Sequence, residues 1–183
     1  MEPTRDEIAA GYRRAIRDLH AWLDSATIQE LHRKSKGTRW TNEELLFHMV
    51  FGYMVVRSLL PLVRIVSRLP GPAGTAFAAA LNAGTRPFHL VNFWGSRAAA
   101  LFYNRRRMGR KLERTISALL RRLARETSAS LTRTMPFPVG WDPFFKPVMT
   151  LNDVYAYPTL HFDFHATQLD LRHPDAPGPH QGR

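Results

Sequence analysis

The chain contains no cysteine, which removes disulfides, thiolate zinc sites and cysteine nucleophiles together and suits a cytoplasmic protein. Any metal site must therefore be built from His, Asp or Glu. The N-terminal stretch MEPTRDEIAAGYRR lacks the apolar core of about 7–15 residues that a signal peptide needs, so export is not expected. Period-2 alternation of apolar and polar residues is also missing, and strands are not expected. No zinc-finger, RNP or basic-zipper signature is present, so any nucleic-acid role would rest on charge alone.

What is there is the composition of a folded domain. The 183 residues are 44% hydrophobic and 22% charged, enough to bury a core without staples. The longest apolar window, LLFHMVFGYMVVRSLLPLVRIV (45–66), approaches membrane-spanning length. It carries His48, Arg57, Pro61 and Arg64, which lipid tolerates poorly, and it reads as a buried helix. The net charge of +11 has a local source. Nine Lys and Arg lie between Asn104 and Arg125, with Glu113 as the sole acid. Met108, Leu112, Ile116, Leu119 and Leu123 interleave with them at spacings of three and four. That is an amphipathic helix with an arginine-rich outer face, either a solvated surface or a contact for nucleic acid or an anionic membrane.

The organisation expected is all-α: an antiparallel four-helix bundle with an extra helical segment between helices two and three. Helix one covers residues 4 to about 34, opening on the capping-box pair Thr4 and Glu7. After the loop KSKGTRW (34–40), Thr41 and Glu44 cap helix two, which runs to about Leu69 with a bend at Pro61. LPGPAG (69–74) is read as a break, TAFAAALNAG as a short helix ended by Gly84, and Pro87 as the first turn of another that reaches about Asn104. Helix three occupies about 105–129. A proline-rich linker from Ser130 to Pro147 leads to helix four after Thr150. Residues 1–172 form one domain, and 173–183 have the composition of a disordered tail.

Histidine carries the chemistry. In HFDFH (161–165), His161 and His165 are four apart, which on a helix puts both rings on one face, close enough to share an ion. Chance alone easily supplies such a pair among eight histidines. His48 adds a third ring: it shares the apolar face of helix two with Leu45, Met49, Gly52 and Val56 and points inward. His48, His161 and His165 would give a metal three neutral nitrogens and an open position, with Gly52 leaving space above the ion for substrate.

TNEELLFHMVFGY, at the start of helix two, and LNDVYAYPTLHFDFHATQL, in the last helix, resemble the DinB-like family of four-helix-bundle metalloenzymes. The family places one ligand histidine early in helix two and a His-x-x-x-His pair in helix four, and His48, His161 and His165 match in order and setting. The resemblance implies a divalent metal, zinc before nickel, iron or manganese. It also implies a low-molecular-weight thiol such as mycothiol, bacillithiol or glutathione as co-substrate, a small electrophilic substrate, and a homodimer. Two features depart from the family pattern: the long 70–104 connection, and Pro158, which must kink helix four or mark its start.

A metal on three neutral ligands keeps its 2+ charge and activates a bound thiol or water. The carboxylates near the pair in sequence are Asp163, on another face, and Glu43 and Glu44, the latter a capping residue; none is expected to be the catalyst. His20, His32, His89, His173 and His180 are assigned packing or surface roles. The linker MPFPVGWDPFFKP (135–147) either holds Trp141, Phe144 and Phe145 over a ligand at the bundle mouth or is a structural lid with no ligand contact, with Arg39 and Trp40 placed similarly. Two functions follow: a metal-dependent enzyme activating thiol or water, or a non-catalytic basic protein binding nucleic acid or anionic membrane through the helix-three arginines.

Overall fold

A threonine stands at the N-cap of five helices in the computed structural model, which describes residues 2–68, 71–87, 90, 93–95, 98 and 105–171. Thr4 caps α1 (Arg5–Ser25), Thr27 caps α2 (Ile28–His32) and Thr41 caps α3 (Asn42–Val66). After α4 (Gly71–Ala83) and α5 (Arg105–Leu123), Thr127 caps α6 (Ser128–Leu131) and Thr150 caps α7 (Leu151–Ala166). In α1, α2, α3 and α7 the third helical residue, Glu7, Glu30, Glu44 or Asp153, completes a capping box. At Thr150 such a cap contributes about 1 kcal/mol relative to alanine.

The described residues are mostly helical, as an all-α reading requires, but two strands were not expected. β1 (Thr134–Pro136) pairs antiparallel with β2 (Val148–Thr150), with Met135 opposite Met149. Three residues per strand are too few for alternation to show. Helix one is also shorter than its apolar periodicity suggests. It stops at Ser25, and the Thr27–Glu30 box starts α2. The arginine-rich helix likewise ends at Leu123 and restarts at the Thr127 cap.

Part of LPGPAG lies inside a helix, since α4 begins at Gly71; Pro72 fits its first turn, where no N–H is needed. Most of the helix expected after Pro87, with His89, and the tail from 172 onward lie outside the described residues. Both Pro61 and Pro158 sit inside continuous helices, so Pro158 does not mark a helix start.

α1 and α5 each bury one stripe, whereas α3 is buried all round from Leu45 to Val50. α1 contributes Ile8, Tyr12, Ala15, Leu19, Trp22 and Leu23, and α5 contributes Met108, Leu112, Ile116, Leu119 and Leu123. α3 packs on α7 and α5, and α1 packs on α5 and α7. Polar tips in this core find partners, as burial demands. Tyr12 Oη donates to the Tyr155 carbonyl at 2.7 Å, and its ring meets Tyr53 edge-on at 5.3 Å. Tyr53 Oη pairs with Thr159 Oγ1 at 3.1 Å. By length and composition α3 also qualifies as a membrane span, but 44% of its most apolar window is buried within the protein.

Candidate metal centre

The pairing of α3 with α7 brings the three histidines together. His48 lies in the second turn of α3 and is buried; His161 and His165 lie one turn apart near the end of α7, the first buried and the second partly so. His48 Nε2 is 3.1 Å from His161 Nε2 and 3.2 Å from His165 Nε2. All three ligand atoms fall within 4.8 Å of one another. Tetrahedral ligands about 2.0–2.1 Å from a zinc ion stand about 3.3–3.4 Å apart, so the closer pairs match a shared ion.

Hydrogen bonding alone does not account for this triangle. An imidazole nitrogen has either one lone pair or one hydrogen, in the ring plane, and makes one good in-plane bond. His48 Nε2 has two nitrogen neighbours. The His165 tautomer is set from behind: Nδ1 donates to Gln168 Oε1 at 2.7 Å, leaving Nε2 with its lone pair turned toward His48. At most one of the two short contacts is then satisfied between neutral rings. A cation accepting three lone pairs satisfies all of them. His161 Nδ1 is buried without a hydrogen-bond partner, packed against the Cα of Gly52.

Burial favours the neutral, ligating form. It drives the His161 pKa well below the ordinary histidine value, helped by the neighbouring His48 and His165. Burial lowers His165 as well, opposed by Gln168 and Asp142.

Gly52 does not leave space for substrate. A Cβ there would stand 2.7 Å from His161 Nδ1, so the missing side chain makes room for a ligand ring. A cavity of about 20 Å³, room for one water-sized ligand, opens between His48, His161, Trp141, Asp142 and Tyr157. Val55, Trp141, Phe145 and Tyr157 separate it from an apolar cavity beneath α4.

The nearest carboxylate is one that spacing did not single out. Asp142 Oδ2 lies 3.9 Å from His161 Nε2, held by a 2.8 Å bond from Tyr157 Oη, while Oδ1 accepts from the Phe144 N–H at 2.9 Å. Burial raises its pKa. The WD pair in the linker was the available signal, and only the path of the linker makes it meaningful. Trp141 is fastened to α4 by Nε1 donating to the Leu81 carbonyl at 2.8 Å.

Asp163 faces away and accepts two 2.7 Å bonds from Arg14. Glu44 caps α3, and Glu43 pairs with His32 at 3.6 Å. His20 pairs with Glu113 at 2.8 Å. Trp40 stacks on the His48 ring at 4.3 Å and has a buried indole N–H without a partner; Arg39 stays exposed. Phe144 packs on Phe164 instead of lining the cavity.

Comparison of the chain with protein-family models, with curated proteins and with solved structures finds no match.

Proposed function

We propose that this protein is a metal-dependent enzyme of the DinB-like type, in which α1, α3, α5 and α7 form a four-helix bundle around a divalent ion, zinc before nickel, iron or manganese. The observation that carries the reading is the convergence of His48, His161 and His165 Nε2, three nitrogens within 4.8 Å of one another, two of them on buried rings and the third on a partly buried one. Bound there, the ion supplies an undiminished 2+ charge that lowers the pKa of a thiol or water beside it.

The chain's own residues do the rest. Gln168 holds the His165 tautomer, and Gly52 admits the His161 ring. Trp40 covers His48 and excludes water from that side. Asp142 Oδ2, oriented by Tyr157 and with its pKa raised by burial, is placed to hold a proton released in the cavity. As it stands the cavity takes one water-sized ligand, so a small electrophile and a low-molecular-weight thiol as the second reactant enter only when its apolar walls, Val55, Trp141 and Phe145, move apart.

Elemental analysis of protein purified without chelators tests the proposal. About one divalent ion per chain is expected in the wild type and none in His161→Ala. A metal-free wild type that also takes up no zinc on dialysis sinks it.

A further inference from the structure

Between Glu44 and Glu113 the sequence contains no Asp or Glu, while carrying ten Lys and Arg. The same stretch holds α4, which has no charged residue at all. Its inner side turns Phe77 and Leu81 toward Leu59 and Val63 of α3, closing the apolar cavity. Its outer side exposes Ala73, Ala76, Ala79 and Ala83, spaced three and four apart, where a water-facing helix ordinarily carries charge. Beside it the last turns of α3 expose Leu62, which also reaches the cavity, and Ile65, the latter by 57%. Apolar surface concentrated in this way marks a contact.

Basic groups accompany it. Arg57, Arg68 and Arg86 are exposed, and among the described residues no carboxylate pairs with them. Arg122 donates to the Arg57 carbonyl at 3.0 Å, bringing the basic end of α5, with exposed Arg121 and Arg125, alongside α3. A second copy of this chain would set arginine against arginine. Nucleic acid would use the guanidinium groups and leave Leu62, Ile65 and the α4 face in water. An anionic bilayer satisfies both sets, taking the apolar side chains into the acyl boundary and the arginines among its headgroup phosphates.

We propose that the protein docks peripherally on anionic membranes through the outer face of α4 and the end of α3, with Arg57, Arg68 and Arg86 reading the headgroups. This contact is independent of the histidine site and distinct from the arginine-rich face of α5 taken alone.

The test is flotation of the full chain with phosphatidylcholine vesicles, with and without phosphatidylglycerol. Binding to the mixed vesicles and at least tenfold weaker binding to phosphatidylcholine alone are expected. Each arginine near an anionic surface is worth roughly fivefold in affinity, so the Arg57→Glu, Arg68→Glu, Arg86→Glu triple variant loses at least about 100-fold. Ile65→Glu and Ala76→Glu, each at an exposed position, lose at least tenfold with circular dichroism unchanged. The Arg13→Glu, Arg17→Glu variant, on the exposed side of α1, changes charge without loss of binding.

Any of four results overturns the proposal: no difference between the two vesicles, equal loss from the α1 variant, Ile65→Glu and Ala76→Glu both without effect, or a dimer in light scattering that these two variants dissolve. Binding of duplex DNA that competes with the vesicles and is insensitive to Ile65→Glu overturns it as well.

Discussion

Two glycines in this molecule face histidine rings at nearly the same distance, and they do opposite things. A Cβ on Gly52 would stand 2.7 Å from His161 Nδ1, and one on Gly109 would stand 2.6 Å from His20 Cε1. His161 is wedged between α3 and α7 with a side chain only 4% exposed, whereas the His20 side chain is 38% exposed and can turn outward. Close approach is therefore a constraint only where the ring has nowhere to go. The same contrast separates the rings by their surroundings: His161 lies among two other imidazoles and a half-buried carboxylate, His20 beside a single, more exposed glutamate.

The largest break in this comparison is removal of a ring. His48→Ala should take bound metal from about one ion per chain to none by elemental analysis, while His20→Ala leaves it unchanged.

Next come the glycines themselves. Gly52→Ala overpacks the His161 ring and should cost about 1–3 kcal/mol in urea unfolding, with at least about tenfold weaker zinc binding in a competition titration. Gly109→Ala should change stability by no more than about 1 kcal/mol, since helix propensity favours alanine and His20 moves aside. Equal effects at the two positions would erase the distinction.

Behind the rings, Gln168→Ala should weaken zinc binding about 10–100-fold by freeing the His165 tautomer. Glu113→Gln, which alters the partner of His20, should leave zinc affinity as it was.

The smallest effect is that of pH on the metal-free protein. His161 and His165 have folded-state pKa values below the ordinary histidine value, so the unfolded chain binds the extra protons. Their contribution to stability is complete above about pH 6.5 and is lost as pH falls below it. The urea midpoint should drop between about pH 7.5 and 5.5; a flat midpoint would mean that the rings are solvated.

Local signals were the legible ones. The Thr41 and Thr150 starts, the apolar stripes of α1 and α5, and the inward face of His48 all follow from residues within a few turns of one another. Two breaks were written as plainly in TIQE (27–30) and TSAS (127–130), but the long apolar periods running across them masked those caps. Asp142 was illegible as part of the site, because pairing of β1 with β2 and the Trp141 bond to Leu81 decide where the linker goes, whereas Trp40, next to the start of α3, was placed over the site by its position in the sequence. Asp163 shows the converse. Two residues from each ligand, it lies round the helix on the face that meets Arg14.

His48 is made early and waits. The partners it needs lie 113 and 117 residues later in the chain, so no ion can be gripped by the first half of the protein as it leaves the ribosome. α1, α3 and α5 meet through their apolar stripes and a few polar contacts such as His20 with Glu113 and Arg122 with the Arg57 carbonyl, none of which involves a proposed ligand. On the proposed reading an ion would be a latch on a finished structure instead of a template for it, adding about 4 kcal/mol when free metal exceeds its dissociation constant about a thousandfold.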